Sequence, residues 1–207
     1  MYNYISMYNE VIFDVETKKL FGEVEKVDPS LLGVSIVSAY IRTLDDNNQE
    51  IQGKMQSFWE EDFDKFWPVL QKADRIIGFN SIKFDVPCLQ PYTTFNLAKL
   101  PHFDLMDEVK KIIGRRISLD AFAKDTLDKE KSDVGVNAVL YWQSGTKENL
   151  DKLRQYCEMD VEITRQLYDF GLKNKYLKYK DKWNTPRQVK VDFSYPVESK
   201  EKQIGLF

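Results

Sequence analysis

The chain has few of the residues that several enzyme classes require. Its 207 residues include one histidine, His102, and two cysteines, Cys88 and Cys157. One histidine alone cannot build a histidine-based metal site or a serine triad, and the two cysteines lack the spacing of a zinc site. No apolar run approaches the ~18–20 residues that span a bilayer, and the start of the chain lacks the pattern of a secretion signal. We therefore expect a cytoplasmic protein with reduced thiols and no membrane partner.

The acidic and basic residues are unevenly distributed. The net charge of −3 gives no overall attraction for nucleic acid. Residues 1–64 contain thirteen acidic and five basic side chains, whereas residues 172–190 contain seven basic side chains and only Asp181. A local basic stripe can follow phosphates even on an acidic protein. A second small basic cluster contains Lys110, Lys111, Arg115 and Arg116. A solvated helix end explains either cluster equally well, so both interpretations stay open.

Hydrophobic periodicity predicts an α/β fold. Strands are predicted over 10–15, 32–43 and 50–59, and the first three should form an antiparallel meander. A helix over 60–73 and a strand over 75–80 follow, and a further helix begins at Asp85. The remaining predicted helices cover 104–113, 118–127, 135–142 and 147–172. This order predicts a mixed sheet with helices on its faces. Residues 189–195 could add a strand or pack on the body.

Acidic residues in three separate segments indicate a metal site. The segments FDVET (13–17), GFNSIKFD (78–85) and YCEMD (156–160) supply Asp14, Glu16, Asp85, Tyr156 and Asp160. Asp14 and Glu16 are two residues apart on a predicted strand, so their side chains share a face. Burial of two like charges on one face is costly unless cations neutralise them. Carboxylate oxygens suit Mg²⁺ or Mn²⁺ rather than zinc, and two-metal carboxylate sites hydrolyse phosphodiesters.

Each of these residues also has a structural interpretation. Asp14 and Glu16 could simply reach water at a strand end. Asp85, which precedes Val86 and Pro87, could cap a helix N-terminus. Tyr156 and Asp160 share a helix face because they are four residues apart, and Tyr156 could be a core aromatic.

The order of the motifs resembles the DEDDy branch of the DnaQ-like 3′–5′ exonucleases. Residues 117–134 also resemble the proofreading domain of family B DNA polymerases, and the likeness covers about residues 9–172. It implies an RNase H-like sheet, with strand 10–15 central and beside strand 75–80. It further implies two Mg²⁺ (or Mn²⁺) ions held by Asp14, Glu16, Asp85 and Asp160, with Tyr156 orienting the attacking water. Gln155 stands where the histidine branch has histidine, which assigns the tyrosine branch.

The resemblance also implies contacts with single-stranded DNA 3′ ends. The predicted nucleic-acid contacts are Thr17, Asn80 and Lys83. Terminal bases usually stack on apolar side chains in such enzymes, and the candidates here are Phe21, Phe79 and Phe84, each of which could instead be core. His102 and Asp104 fall where such folds approach the substrate, although Asp104 is also suited to capping the helix that follows.

The last five residues resemble the bacterial sliding-clamp-binding peptide. Leu206 and Phe207 would fill an apolar pocket of the clamp, with Gln203 hydrogen-bonding its rim and Ile204 beside it. The alternative is that Leu206 and Phe207 pack on the domain. We thus divide the chain into an exonuclease domain (1–180), an extension packing on the body (181–195) and a flexible tail carrying the peptide (196–207).

Three functions remain as hypotheses, beside the weakest option, a structural domain whose acids are fortuitous. The first is a 3′–5′ exonuclease that hydrolyses single-stranded DNA ends to nucleoside monophosphates in replication or repair, recruited by the clamp. The second is an exoribonuclease of the RNase D type, which shares the acidic set. The third is a non-catalytic clamp adaptor, which retention of Asp14, Glu16, Asp85, Asp160 and Tyr156 disfavours.

Overall fold

A computed structural model describes residues 7–129 and 135–195. Its main sheet has five strands in the order β3-β2-β1-β4-β5. The strands are β1 (Tyr8–Thr17), β2 (Val34–Leu44), β3 (Glu50–Trp59), β4 (Arg75–Gly78) and β5 (His102–Asp104). β1 pairs antiparallel with β2 and parallel with β4, while β2 pairs antiparallel with β3 and β4 parallel with β5. The antiparallel meander and the central position of β1 beside β4 are confirmed.

The described residues form six α-helices, and their boundaries follow local sequence chemistry. They are α1 (Phe63–Gln71), α2 (Asp85–Leu89), α3 (Leu105–Ile113), α4 (Leu119–Leu127), α5 (Gly135–Ser144) and α6 (Lys147–Asn174). Side chains of Asp104, Ser118 and Thr146 cap α3, α4 and α6. Gly114 ends α3 in the left-handed region, at φ +74°.

The predicted element boundaries differ from the observed ones by a few residues. The helix predicted from residue 60 begins with a turn of 3-10 helix, Glu60–Asp62. β2 starts at Val34 because Gly33 before it has a left-handed φ of +66°. β4 ends at Gly78, two residues before Asn80, whose φ of +66° is incompatible with a strand. β5 was not predicted; three residues are too few to give a periodic pattern.

Apolar side chains on the two faces of β1 enter different cores. Val11, Phe13 and Val15 pack in the cluster that contains the buried residues of α1 and α2. Ile12 packs in a second cluster with Val161 and other buried residues of α6. Helices therefore cover both faces, and the predicted α/β fold is confirmed. Because alternate residues share a face, Asp14 and Glu16 lie on the Ile12 side, towards α6.

The segment after α6 packs against the body. β6 (Leu177–Lys180) and β7 (Pro186–Val189) form a separate two-stranded antiparallel sheet. Val189, Val191 and Phe193 are buried in the cluster beside α6. A Cβ added at Gly171 would lie 2.0 Å from the Phe193 ring, so α6 needs glycine at this crossing. Residues 189–195 thus pack on the domain and do not join the main sheet.

A buried polar network joins this segment to the first strand. The Glu10 carboxylate is fully buried and accepts hydrogen bonds from Arg42, at 2.8 and 2.9 Å, and from Tyr168, at 2.8 Å. Arg75 donates to the Tyr168 hydroxyl and to the carbonyl oxygen of Phe193, both at 2.8 Å. These contacts tie β1, β2, β4, α6 and the final segment together.

The sequence also predicts a C-terminal tail that carries the clamp peptide and no membrane-spanning segment. The clamp-peptide residues Gln203, Ile204, Leu206 and Phe207, and the whole of the predicted tail over 196–207, lie outside the described residues. Among the helices of residues 7–129 and 135–195, none combines the length and the apolar character needed to cross a membrane.

Candidate active site

The end of β1 supplies the first two acids of the cleft. Asp14 is half-buried, and Glu16 is 9% exposed. One carboxylate oxygen of Asp14, one of Glu16 and the Sγ of Cys157 all lie within 4.8 Å of one another. The β1–β2 register shifts between Glu16 and Thr17, directly after these acids. The strand thus presents two close carboxylates at the point where regular pairing changes.

Asp85 joins the same cleft from α2. It is 3% exposed, and its Oδ1 accepts a hydrogen bond from the backbone N–H of Val15 at 3.1 Å. Phe84, not Asp85, occupies the N-cap of α2, and no side chain caps that helix. The capping interpretation of Asp85 is therefore wrong, because its carboxylate is directed across to β1.

The surroundings of Asp85 favour its protonated form. Burial raises the pKa of the Asp85 carboxyl to about 7, and hydrogen bonds from the N–H groups of Asp85 and Val15 offset this only in part. The negative charges of Asp104 and Asp160 raise this pKa further. A cation in the cleft would reverse this balance, because an adjacent positive charge favours the ionised carboxylate.

Asp160 reaches the cleft from α6, which crosses over β1. Asp160 is 7% exposed. Together with Asp14, Glu16 and Asp85 it lines a cleft of about 330 Å³. The four acids are spread over 146 positions of sequence, and the fold brings all of them to one place. Sequence spacing alone cannot show this convergence.

Tyr156 lies one helical turn before Asp160. It is 9% exposed and packs with Ile36, Ala138 and Leu153. Its ring therefore contributes to a small core between α5, α6 and β2. The predicted catalytic role of its hydroxyl stays a prediction.

Cys157 is a residue of the site that sequence reasoning missed. Its Sγ lies 3.5 Å from the carbonyl oxygen of Asp14 and 3.9 Å from Asp14 Oδ2. Burial raises the pKa of this thiol well above its ordinary value, and the charges of Asp14 and Glu16 add to the effect. The neutral thiol is a poor ligand for a hard cation and instead donates towards Asp14. The available clue was its position three residues before Asp160, on the same helix face.

The donor set of the cleft fits a hard divalent cation. Its charged donors are carboxylates, which suit Mg²⁺ and Mn²⁺. The short separation of Asp14 and Glu16 concentrates negative charge, which a cation would neutralise. Within the described residues, histidine contributes nothing to this cluster: Nε2 of His102 lies 2.8 Å from the carbonyl oxygen of Leu97, and burial lowers the pKa of its imidazole.

The predicted nucleic-acid contacts divide into two groups. Thr17 and Asn80 line the acidic cleft. Thr17 is buried, and its hydroxyl donates to the carbonyl oxygen of Lys19 at 3.0 Å. Lys83 does not line this cleft; it points to a neighbouring small cleft and pairs with Asp107 at 3.2 Å.

Asn80 is held in place from two sides. Its backbone N–H donates to Asp104 Oδ1 at 2.8 Å, and its side-chain oxygen accepts from Arg116 at 2.7 Å. Asp104 also accepts from the N–H groups of Met106 and Asp107, so its predicted capping of α3 is confirmed. Asp104 therefore fixes the turn that leads from β4 to Asp85.

Aromatic side chains form one wall of the cleft. Phe21, Phe79 and Phe84 all line it. Phe21 is 39% exposed, and its ring meets that of Phe84 edge-on with 6.1 Å between centroids. Phe79 instead packs edge-on against Phe122, at 6.2 Å. The lining of the cleft therefore combines carboxylates with aromatic side chains.

Comparisons with known proteins agree with this architecture. A family model described as RNase_H_2, of the RNase_H superfamily, matches residues 11–170. No curated protein gives a significant match. Among solved structures, the chain is similar to the family B DNA polymerase from the hyperthermophilic archaeon Pyrobaculum calidifontis, with a TM-score of 0.56 and 20% sequence identity. The match covers 80% of this chain and 24% of that polymerase chain. At this identity the likeness concerns the fold alone.

Proposed function

The chain belongs to the RNase H superfamily, and from this premise we propose that it is a metal-dependent 3′–5′ exonuclease of the DEDDy type. One observation carries the proposal: Asp14, Glu16, Asp85 and Asp160, from three distant segments, line one cleft. Four carboxylates are costly to collect at one place unless cations neutralise them. A domain with only a structural role would have no reason to collect four carboxylates in one cleft.

The proposed roles are those that the resemblance to the DEDDy exonucleases implies for these side chains. Asp14, Glu16 and Asp160 would hold one Mg²⁺ or Mn²⁺ ion, and Asp85 would help Asp14 to hold a second. Bound divalent ions lower the pKa of water and stabilise the charge that develops on a phosphodiester. The hydroxyl of Tyr156 would orient the attacking water, and its ring packs with Ile36, Ala138 and Leu153.

The shape of the cleft supports cleavage at an end of a single strand. Its volume of about 330 Å³ is small, and the Phe21–Phe84 pair lies at its rim. An unpaired terminal base can stack on such a surface, whereas a base held in a duplex cannot reach it. Thr17 and Asn80, which line the cleft, are the proposed contacts with the terminal nucleotide. Lys83 is a proposed contact with a phosphate farther along the strand.

DNA is the proposed polymer, and the sliding clamp the proposed partner. The polymerase-like fold supports DNA, and so does the clamp-like sequence of Gln203, Ile204, Leu206 and Phe207. A peptide of this kind raises the concentration of the enzyme at clamp-loaded DNA through effective molarity. Deleting residues 203–207 should remove clamp binding and spare hydrolysis of free oligonucleotides; unchanged clamp binding would refute this part.

The central test is cleavage of single strands labelled at either end. DNA and RNA of equal sequence are incubated with Mn²⁺ or with EDTA, beside an Asp160→Asn variant. We expect Mn²⁺-dependent shortening from the 3′ end, loss of that activity in Asp160→Asn, and faster cleavage of DNA. Faster cleavage of RNA would select the RNase D-type alternative. No cleavage of either polymer would reject the nuclease and favour the adaptor.

A further inference from the structure

The turn between β6 and β7 presents an exposed tryptophan. Trp183 is 73% exposed. The turn that carries it is built by Asp181, whose Oδ1 accepts from the N–H groups of Trp183, at 2.9 Å, and Thr185, at 3.0 Å. Arg187 donates to Asp181 Oδ2 at 3.0 Å. Hydrogen bonds therefore order the backbone of the turn, and the indole that it carries is exposed to solvent.

A basic groove lies beside this turn, between α4 and the hairpin. Its volume is about 730 Å³, more than twice that of the acidic cleft. Its lining includes four basic side chains and two acidic ones, namely Lys124, Lys178, Lys180, Arg187, Asp125 and Asp128. Ion pairs of Lys180 with Asp125, at 3.8 Å, and of Arg187 with Asp181 offset part of the positive charge. Lys182 adds a further ammonium 4.3 Å from the Trp183 ring centroid.

Two consecutive arginines connect this groove to the acidic cleft. Arg116 donates to the side chain of Asn80, at the cleft, at 2.7 Å. Arg115 donates to the carbonyl oxygen of Lys180, in β6, at 2.9 Å, and lies 5.6 Å from the Tyr179 ring centroid. The surface between the two sites therefore carries positive charge.

The separation of the two sites corresponds to a short stretch of nucleic acid. From Asp160, in the cleft, α6 continues for fourteen residues to Asn174, just before the hairpin. At ~1.5 Å per residue this is about 21 Å, or about six nucleotides at the stacked spacing of ~3.4 Å. A stacked strand with its end in the cleft therefore reaches the beginning of the hairpin at about that length.

We propose that the β6–β7 hairpin is a second binding site for single-stranded nucleic acid. Its basic groove holds the phosphates, and Trp183 stacks on a base that lies about six or more nucleotides from the end that occupies the cleft. Surfaces that bind single strands without sequence preference combine these two features, a positive groove and an exposed aromatic platform. The proposal rests on the nuclease function only for the placement of the strand end; binding at the hairpin itself is measured without hydrolysis.

The test compares oligonucleotides on either side of the expected length. Fluorescence anisotropy in EDTA measures the affinity of the full chain, carrying Asp14→Asn to prevent cleavage, for a 12-nucleotide and a 3-nucleotide single strand. Adding Trp183→Ala should weaken binding of the 12-mer about tenfold, the low end of a lost base–aromatic stack, and leave the 3-mer unchanged. Trp183→Phe should restore most of the affinity, since it keeps an aromatic face.

Salt dependence tests the groove separately from the tryptophan. The slope of log affinity against log salt concentration should become about 1.4 smaller in magnitude for Lys178→Gln with Lys180→Gln, at ~0.7 for each lost phosphate contact on a single strand. The charge-matched control is Lys54→Gln with Lys65→Gln, on β3 and α1, and should keep the original slope.

Outcomes that overturn the proposal are distinct from those that overturn the nuclease. Equal binding of the 12-mer by the Trp183→Ala and parent proteins refutes the hairpin site. An equal loss for the 3-mer refutes the proposed length requirement, because it shows that a strand too short to span the two sites binds the hairpin directly. Altered self-association of Trp183→Ala in sedimentation, with unchanged binding of the 12-mer, also refutes the hairpin site and makes the tryptophan a protein contact. Trp183-dependent binding of the 12-mer, together with no cleavage by the protein that retains Asp14, upholds the hairpin site and rejects the nuclease.

Discussion

The Asp14→Asn substitution measures two effects of the Asp14 charge: its repulsion of Glu16 in the metal-free protein and its proposed contribution to metal binding. Asp14 and Glu16 place ligand oxygens within 4.8 Å of each other. At that distance two charges repel by about 3.5 kcal/mol for an effective dielectric constant of about 20. Asp14 is half-buried, and solvent screening reduces this to about 1–2 kcal/mol. Asparagine keeps the shape of the side chain and removes the charge.

The metal-free variant should therefore be more stable than the parent protein. For a chain of this size, 1 kcal/mol corresponds to about 2–4 °C in melting temperature. A gain of about 1–2 kcal/mol gives a rise of about 2–8 °C in EDTA. With Mn²⁺ at about 100 times its dissociation constant, the parent protein should gain about 2.7 kcal/mol, or about 5–11 °C. Mn²⁺ should stabilise the Asp14→Asn variant by less than half of that amount, because the variant lacks the carboxylate that is proposed to contact both ions.

The assay is thermal melting in EDTA and across a Mn²⁺ titration, read together with hydrolysis of a labelled single strand. The matched control is Asp46→Asn, an exposed acid in the turn between β2 and β3. We expect the stability order of the parent and Asp14→Asn proteins to reverse on adding metal, whereas Asp46→Asn follows the parent. Equal metal stabilisation of all three proteins would refute the assignment of the metal site to this cleft.

Three further substitutions test other parts of the molecule. Tyr156→Phe should lower the turnover number about 100-fold, because a positioned hydroxyl is lost, while its packed ring keeps the melting temperature nearly constant. Between pH 4 and 7 the folded metal-free protein holds a proton on Asp85 that the unfolded chain, with the ordinary pKa of 3.8, has released. Stability in EDTA should thus fall as pH rises, by up to about 1.4 kcal/mol per unit, and Asp85→Asn should remove that part of the slope. Glu10→Gln should cost about 1.5–3 kcal/mol in urea unfolding, since buried Arg42 would lose one charged partner while keeping its ion pairs with Asp169 and Glu50.

Each of these has a result that would contradict it. Full turnover in Tyr156→Phe would assign the residue to packing alone. Parallel stability–pH curves for Asp85→Asn and the parent would show that the carboxyl is already ionised without metal. A loss below 1 kcal/mol in Glu10→Gln would mean that Asp169 and Glu50 alone compensate the charge of Arg42.

Local sequence patterns determined most of the secondary structure. The alternation of apolar residues around Phe13 specified β1, and the run from residue 147 specified α6, because long periodic segments bury one face wherever they pack. Asp104 could be assigned as a cap because a carboxylate before an amphipathic helix meets free N–H groups. The short strands β5 to β7 escaped prediction because three or four residues give no usable period, whereas β4 was predicted as part of a longer segment, 75–80.

The four acids could be chosen from the sequence, since motifs of their types in that order resemble a known nuclease branch. Their convergence could not be derived, because it depends on the parallel pairing of β1 with β4 and on α6 crossing the Asp14 face. Only the tertiary structure decided that Asp85 is directed to Val15 and does not cap α2. It likewise placed Cys157 among the acids and Arg115 against Lys180. The sequence determined which side chains carry charge and which faces are apolar; distances between segments far apart in the chain arise only when those faces pack.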